Sequence, residues 1–283
     1  MIAGIAAQRT ASVDVRAVVL REGTLRERVD RVCVEEPLEI RLRAGAETRR
    51  VAVTMRTPGA DLELAAGFVL AEGIVPDREA IVSIRHCDDA QLSEDERGNV
   101  VTVHVRAKIE AGALLERHFT ISSACGVCGS AGIELLRARG MRALDDGACI
   151  EGTTLAHLPE RMRLHQNVFE TTGGLHAAAL FELDGTLIAV REDVGRHNAV
   201  DKIAGHIALR GDIDPARCVL VVSGRCGYEI AQKAIAARIP IVASVSAPSS
   251  LAVQLATAFD LTLAGFVRDN RWNVYSGLRR ITG

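Results

Sequence analysis

Aromatic residues make up only 3% of the 283-residue chain. That scarcity argues against a base-stacking platform for single-stranded nucleic acid. A basic excess is missing too: the formal net charge is −2, which is not the electrostatic footprint of a nucleic-acid binder. No G-x-x-x-x-G-K-[S/T] run occurs, so nucleoside triphosphate hydrolysis is not indicated. The first residues, Met1 to Arg9, lack both a basic leader and a long apolar core, which sets the expectation of a cytoplasmic protein. One uncharged run, Ile239 to Phe259, is long enough to span a bilayer. It is interrupted by Pro240, Pro248 and four serines, and reads as strand, turn and helix, with no membrane partner. Cysteines number seven, an odd count, and only Cys125 and Cys128 are closely spaced. Reduced thiols are expected, not a disulfide framework. Hydrophobic residues at 48% and charged residues at 25% describe an ordinary folded protein of one large or two modest domains.

Residues 1–12 read as a flexible tail. Strands are expected over Val13–Leu20, Pro37–Arg43, Val51–Met55, Ile81–His86 and Asn99–Arg106, with a polar loop over Asp88–Gly98. Leu62, Ala65, Ala66 and Val69 share one face of a helix that Gly73 ends. Residues 13–120 are therefore expected to form a small strand-rich α+β subdomain. Residues 121–283 alternate differently. Thr154–Phe169 reads as a helix with Pro159 near its start, and Thr171–Gly174 as a loop. His176–Leu183 and Thr186–Arg191 form a strand pair joined at Asp184-Gly185. Helices over His197–Leu209, Tyr228–Ala237 and Ser249–Phe259 alternate with strands over Cys218–Val222, Ile241–Val245 and Leu261–Val267; Asn273–Ser276 is a short final strand. That alternation implies an α/β sheet with helices on its faces.

Polar clusters fall at the strand-to-helix junctions: Glu192 to Asn198 with Asp201 and Lys202, then Ser223-Gly224-Arg225-Cys226-Gly227, then Ala247-Pro248-Ser249-Ser250. Open α/β sheets place ligand loops there, and the helix starts attract anions. Arg196 and Arg225 add charge-assisted donors for phosphate. One such cluster is explained by capping and surface ion pairs; three together favour an anionic ligand. Cys226 opens a helix beside Arg225, a position that either lowers a thiol pKa or only packs the loop. His197 and His206, nine residues apart, do not make a metal pair.

Ser123-Ala124-Cys125-Gly126-Val127-Cys128-Gly129 precedes the helix-like run Ser130–Leu136. Structural zinc needs four ligands and finds one Cys-x-x-Cys here, with only His86-Cys87 to complete it, so no bound metal is expected. A dithiol redox site suits the local order of strand, cysteines and helix, but no thioredoxin-like chain surrounds it. Sulfur carriage suits a glycine-flanked loop that must visit two partners. Two inert buried cysteines are the plainest alternative.

Together these segments resemble the FdhD family, the accessory sulfurtransferases of formate dehydrogenase. The resemblance runs through Thr57-Pro58, Glu72-Gly73, the Cys125–Gly129 loop, Thr172 to Ala178, Asp193 to Lys202, Ser223-Gly224-Arg225, Ser246 to Ser249 and Gly265 to Arg268. It implies a fold similar to cytidine deaminases for the layered α/β part, and a homodimer. It implies that Cys125 carries a persulfide taken from a cysteine desulfurase, with Cys128 as its partner. The sulfur acceptor would be the molybdenum bis-guanine-dinucleotide cofactor, bound as substrate, which the formate dehydrogenase catalytic subunit needs in sulfurated form. Phe266, Val267, Arg268, Asp269, Asn270 and Arg271 would touch that cofactor, and Arg196, His197, Ser223 and Arg225 would fit its phosphate tail. A cofactor-binding chaperone and a dithiol oxidoreductase are the alternatives. Deamination is not expected, because His176-Ala177-Ala178 lacks the glutamate of a His-x-Glu motif and neither paired cysteine follows a proline.

Overall fold

The computed structural model describes residues 10–89, 92–106, 129–138, 140–144 and 147–283. Strands β1 (Ser12–Arg21) and β2 (Thr24–Cys33) form a two-stranded antiparallel ribbon. Glu22 and Gly23 join them, both at positive φ, in the two-residue turn that matches strand twist. The partner strand β2 was not expected from the sequence. Its charged pattern, T-L-R-E-R-V-D-R-V-C, hides a strand that is exposed on both faces.

Strands β3 (Glu36–Ala44), β4 (Glu47–Arg56), β5 (Ile81–His86) and β6 (Val100–Val105) form a sheet in the order β4-β3-β6-β5. Alternation decides its faces. Leu38, Ile40, Leu42, Val101 and Val103 are buried against Leu64, Ala65, Phe68 and Val69 of helix α1 (Asp61–Ala71). Gly73, at positive φ, closes that helix, as expected. Asp88–Gly98 is not wholly a loop: α2 (Glu94–Gly98) forms there. Ser93 and Glu96 make a reciprocal capping box, which stabilises even one turn of helix.

Helix α3 (Gly129–Ala138) comes next among the described residues. Beyond it, β7 (Ile150–Glu151) leads into α4 (Gly152–Arg163) and α5 (Asn167–Thr172). The single helix expected over Thr154–Phe169 is thus two, and Pro159 lies mid-helix. The break has a visible cause: the Glu192 carboxylate accepts the Val168 and Phe169 N–H groups at 3.0 and 2.7 Å and starts the second helix. Thr171 and Thr172 belong to that helix, and Gly173 caps it at φ 66.

The larger sheet contains β8 (His176–Glu182), β9 (Leu187–Asp193), β10 (Cys218–Val222), β11 (Ile241–Ser244), β12 (Thr262–Arg268) and β13 (Arg271–Ser276). Their order is β13-β12-β11-β10-β8-β9, parallel through β10, β11 and β12 and antiparallel elsewhere. Both faces are covered, which explains the continuous apolar runs of β10 and β11. Leu180, Leu220, Val242 and Leu263 meet α6 (Arg196–Arg210), α7 (Tyr228–Ala236) and α8 (Ser250–Ala258). Phe181, Val219, Val221 and Ala243 meet Leu155, Leu158 and Met162 of α4. A two-residue strand, β14 (Ile281–Thr282), pairs with β7. The Ile239–Phe259 run resolves into β11 and α8, and no helix among the described residues is long and apolar enough to cross a membrane.

Helices α1 and α6 join the two sheets through backbone contact. A β-carbon on Gly205 would overlap the Glu63 carbonyl, and one on Gly67 the Asp201 carbonyl. Only glycine permits this approach.

Candidate functional site

The run from Glu192 to Lys202 splits into an inward and an outward part. Asp193 is wholly buried at the end of β9. Its carboxylate holds Lys202 Nζ at 2.7 Å and accepts from the Thr57, Gly195 and Asn198 nitrogens. Lys202 also donates to the Thr57 and Glu192 carbonyls at 2.9 and 3.1 Å. Asn198 donates to Met55 O at 2.7 Å and accepts from Thr54 Oγ1. These buried charges are paired and hydrogen-bonded, as burial requires, and they clamp the end of β4 onto β9. Asp201 points elsewhere, into a pair with Lys233 at 2.8 Å, with Glu72 of the α1 end at 3.5 Å. Burial pushes Asp201 up to about 6 despite that lysine. Burial also works against the Lys233 charge, but Asp201 and Glu72 outweigh it and hold its pKa up.

Arg196 and His197 face outward at the start of α6. His197 Nε2 lies 2.6 Å from Glu229 on α7, and that bond lowers the glutamate. Burial, then the charges of Arg196 and His197, hold His176 below the usual histidine range, so it acts as a neutral ring.

His176, at the start of the antiparallel β8, lines a cavity of about 810 Å³ at the carboxyl ends of the parallel strands β10, β11 and β12. Ser223, Val267, Arg268 and Asp269 line it as well, and α4 and α5 supply Met162, Arg163 and Phe169. Ser223 Oγ accepts from Ala177 N at 2.9 Å, which leaves its proton for an occupant. Arg163 lies over the Phe169 ring, 4.6 Å from its centroid, with its guanidinium also bonded to Glu170 at 2.7 Å, making a flat wall of guanidinium and ring. The late loop is a hairpin turn: Arg268 pairs with Arg271 across Asp269 and Asn270, both at positive φ. Phe266 is held at φ 55 and donates its N–H to Ser246 O. Arg268 is exposed and, among the described residues, has no carboxylate partner. The volume and the mixed apolar and polar lining suit a ligand of cofactor size.

The structure thus brings Ser223 to the same cavity as the 267–269 segment, although they are distant in sequence. Arg196, His197 and Arg225 do not line it. Arg225 is exposed, while its neighbour Cys226 is fully buried, and burial pushes that thiol up to about 12. The lowered-pKa option for Cys226 is therefore wrong: the side chain sits in an apolar core and not at an electropositive helix start. Cys218, also buried, is pushed to about 12 as well. The α4–α5 wall was missed by sequence reasoning; an arginine and a phenylalanine six residues apart gave little signal until the helix broke between them. Among the described residues no group of three or more His, Cys, Asp or Glu side chains has the geometry to hold a metal. Cys125 and Cys128 lie outside the described residues.

Residues 33–282 match the model of the FdhD/NarQ family. A protein of Streptomyces coelicolor named sulfur carrier protein FdhD is 45% identical, with 94% of each chain covered. One of the same name from Anaeromyxobacter sp. (strain K) is 47% identical, covering 98% of this chain and 96% of the relative. A crystal structure from Desulfotalea psychrophila, described as a candidate formate dehydrogenase accessory protein, superposes with a TM-score of 0.76 at 26% identity. The superposition covers 96% of this chain and 100% of that one. The chain belongs to the FdhD/NarQ family.

Proposed function

We propose that this protein is a sulfur carrier that receives sulfur as a persulfide and delivers it to the molybdenum bis-guanine-dinucleotide cofactor for formate dehydrogenase. The observation that carries this reading is the cavity of about 810 Å³ in which Ser223, His176 and the Arg268-Asp269 turn meet; the sequence adds one Cys-x-x-Cys. The names of its relatives support it. In this reading Cys125 thiolate attacks the outer sulfur of a persulfide on a cysteine desulfurase. A new S–S bond forms on Cys125, and the desulfurase cysteine leaves as a thiolate. Cys128 thiolate then attacks the Cys125 sulfur. A Cys125–Cys128 disulfide forms, and the outer sulfur leaves as hydrosulfide for the acceptor. Two thiols are oxidised as the sulfane sulfur is reduced by two electrons, and a cellular dithiol restores the pair.

The acceptor is substrate, held in the cavity by Arg268 and the Ser223 hydroxyl with its flat rings against the Arg163–Phe169 wall. Arg196, His197 and Arg225 serve a phosphate tail that extends past the cavity rim. His176, neutral, accepts a hydrogen bond. We further read the six-stranded sheet, covered on both faces, as the layered domain of the cytidine-deaminase type, and the working unit as a cytoplasmic homodimer. The test is formate dehydrogenase activity in cells that carry variants of this protein. Cys125→Ala is expected to abolish it with unchanged thermal unfolding. Activity retained by Cys125→Ala but lost by Arg268→Ala would leave only a cofactor-binding chaperone.

A further inference from the structure

The outer face of the four-stranded sheet carries a concentration of cations that the fold does not explain. Its other face holds the apolar core under α1. Strand register places Arg43 beside His104 and Thr48, and Thr102 between Arg41 and Arg85. These six side chains line one recess of about 310 Å³, the small end of the range for ligand pockets. Arg41 stands directly across from Arg50 on β4, so the face sets like charges opposite one another, a destabilising arrangement by itself.

The carboxylates nearby offset only part of this. Glu39 bonds Arg41 at 2.7 Å. Asp88 and Asp89 also line the recess; Asp88 reaches Arg85 only at 3.8 Å and its side chain is 81% exposed. Arg43 donates its Nε to the Gly45 carbonyl at 3.2 Å and, among the described residues, has no carboxylate partner. Arg85 Nε lies 3.2 Å from His104 Nε2. A guanidinium cannot accept, so that ring nitrogen is the acceptor, and the His104 proton sits on Nδ1. Burial, then the Arg85 and Arg43 charges, push His104 below the usual histidine range, which keeps the ring a neutral donor. The recess therefore presents guanidinium, imidazole and hydroxyl donors.

We propose that this recess, built from Arg43, Arg85 and His104 with Arg41, Thr48 and Thr102, is an oxyanion-binding site for a phosphoryl-class ligand, distinct from the cavity at the large sheet. Guanidinium forks match phosphate oxygens in pairs, and a tetrahedral anion has acceptors for several donors at once. A concave recess of this size suits such a small group better than the surface of an acidic protein.

The test is calorimetric titration of the full-length protein with inorganic phosphate, pyrophosphate and adenosine diphosphate at low ionic strength. His104 ring resonances would be followed by NMR in parallel. Saturable pyrophosphate binding that shifts those resonances is expected. Equal affinity for pyrophosphate and the nucleotide assigns a free inorganic anion; tighter nucleotide binding assigns a nucleotide tail; either upholds the site. Arg43→Gln is expected to weaken pyrophosphate at least tenfold, with partial rescue by Arg43→Lys. Relief of like-charge repulsion should also leave the ligand-free Arg43→Gln protein at least as heat-stable as the parent. Wild-type affinity in Arg43→Gln would overturn the proposal. So would an Arg43→Gln protein that melts earlier while still binding, or saturable binding of polyglutamate without binding of pyrophosphate.

Discussion

The Asp193–Lys202 run and the Arg268-Asp269 turn are both dense in charge, and the fold uses them in opposite ways. In the first, Asp193, Asn198, Asp201 and Lys202 are buried and spend their hydrogen bonds inside the protein. In the second, Arg268 and Asp269 are exposed at the mouth of a cavity. A motif dense in polar residues is thus not by itself a ligand site. Most of this one is a clamp between two sheets, and only Arg196 and His197 are left facing outward.

The largest effect is expected at Lys202. Lys202→Met leaves the buried Asp193 carboxylate without its cation, a loss of about 3–5 kcal/mol for a buried pair. Urea unfolding should read it as a lower midpoint; a shift equivalent to under about 1 kcal/mol would show that the clamp is not structural. Lys233→Met should cost a similar amount near pH 7 and less near pH 4.5. Asp201 is raised to about 6, above its unfolded value of 3.8. The folded state therefore binds the proton first, and stability from this group falls as pH rises through that window. At pH 4.5, below the folded-state value of about 6, Asp201 in the folded protein is neutral and misses the lysine less. Unfolding at both pH values checks this, and an equal penalty at both would refute it. Gly205→Ala should cost roughly 1–3 kcal/mol or more, because α1 and α6 must move apart around the new methyl group; a melting scan that matches the parent would remove the close-approach argument. Arg268→Ala should fall within about 0.5 kcal/mol of the parent in stability, as an exposed side chain does, while formate dehydrogenase activation is lost. An unfolded Arg268→Ala protein would erase the contrast between clamp and turn.

Much of this was legible in the chain. The strands and helices of the large sheet follow from apolar runs covered on both faces and from the Asp184-Gly185 turn. β2 was not legible, because a ribbon exposed on both faces has no apolar alternation to read. The break between α4 and α5 was not either, because it is imposed by Glu192, a residue from β9 that only the fold brings there. At the site, Ser223 and the 267–269 segment carry separate signals in the sequence and meet in one cavity. The inward turn of Asp193 and Lys202 could not be read, since their spacing suits an anion loop and a buried pair equally.

The claim on which the functional account turns is that Cys125 carries sulfur. Mass spectrometry of the protein after incubation with a cysteine desulfurase and cysteine, with thiols alkylated before digestion, tests it directly. One added sulfur is expected on the peptide that contains Cys125, absent in Cys125→Ala. A Cys125 peptide that stays unmodified while the desulfurase itself is persulfidated would contradict it.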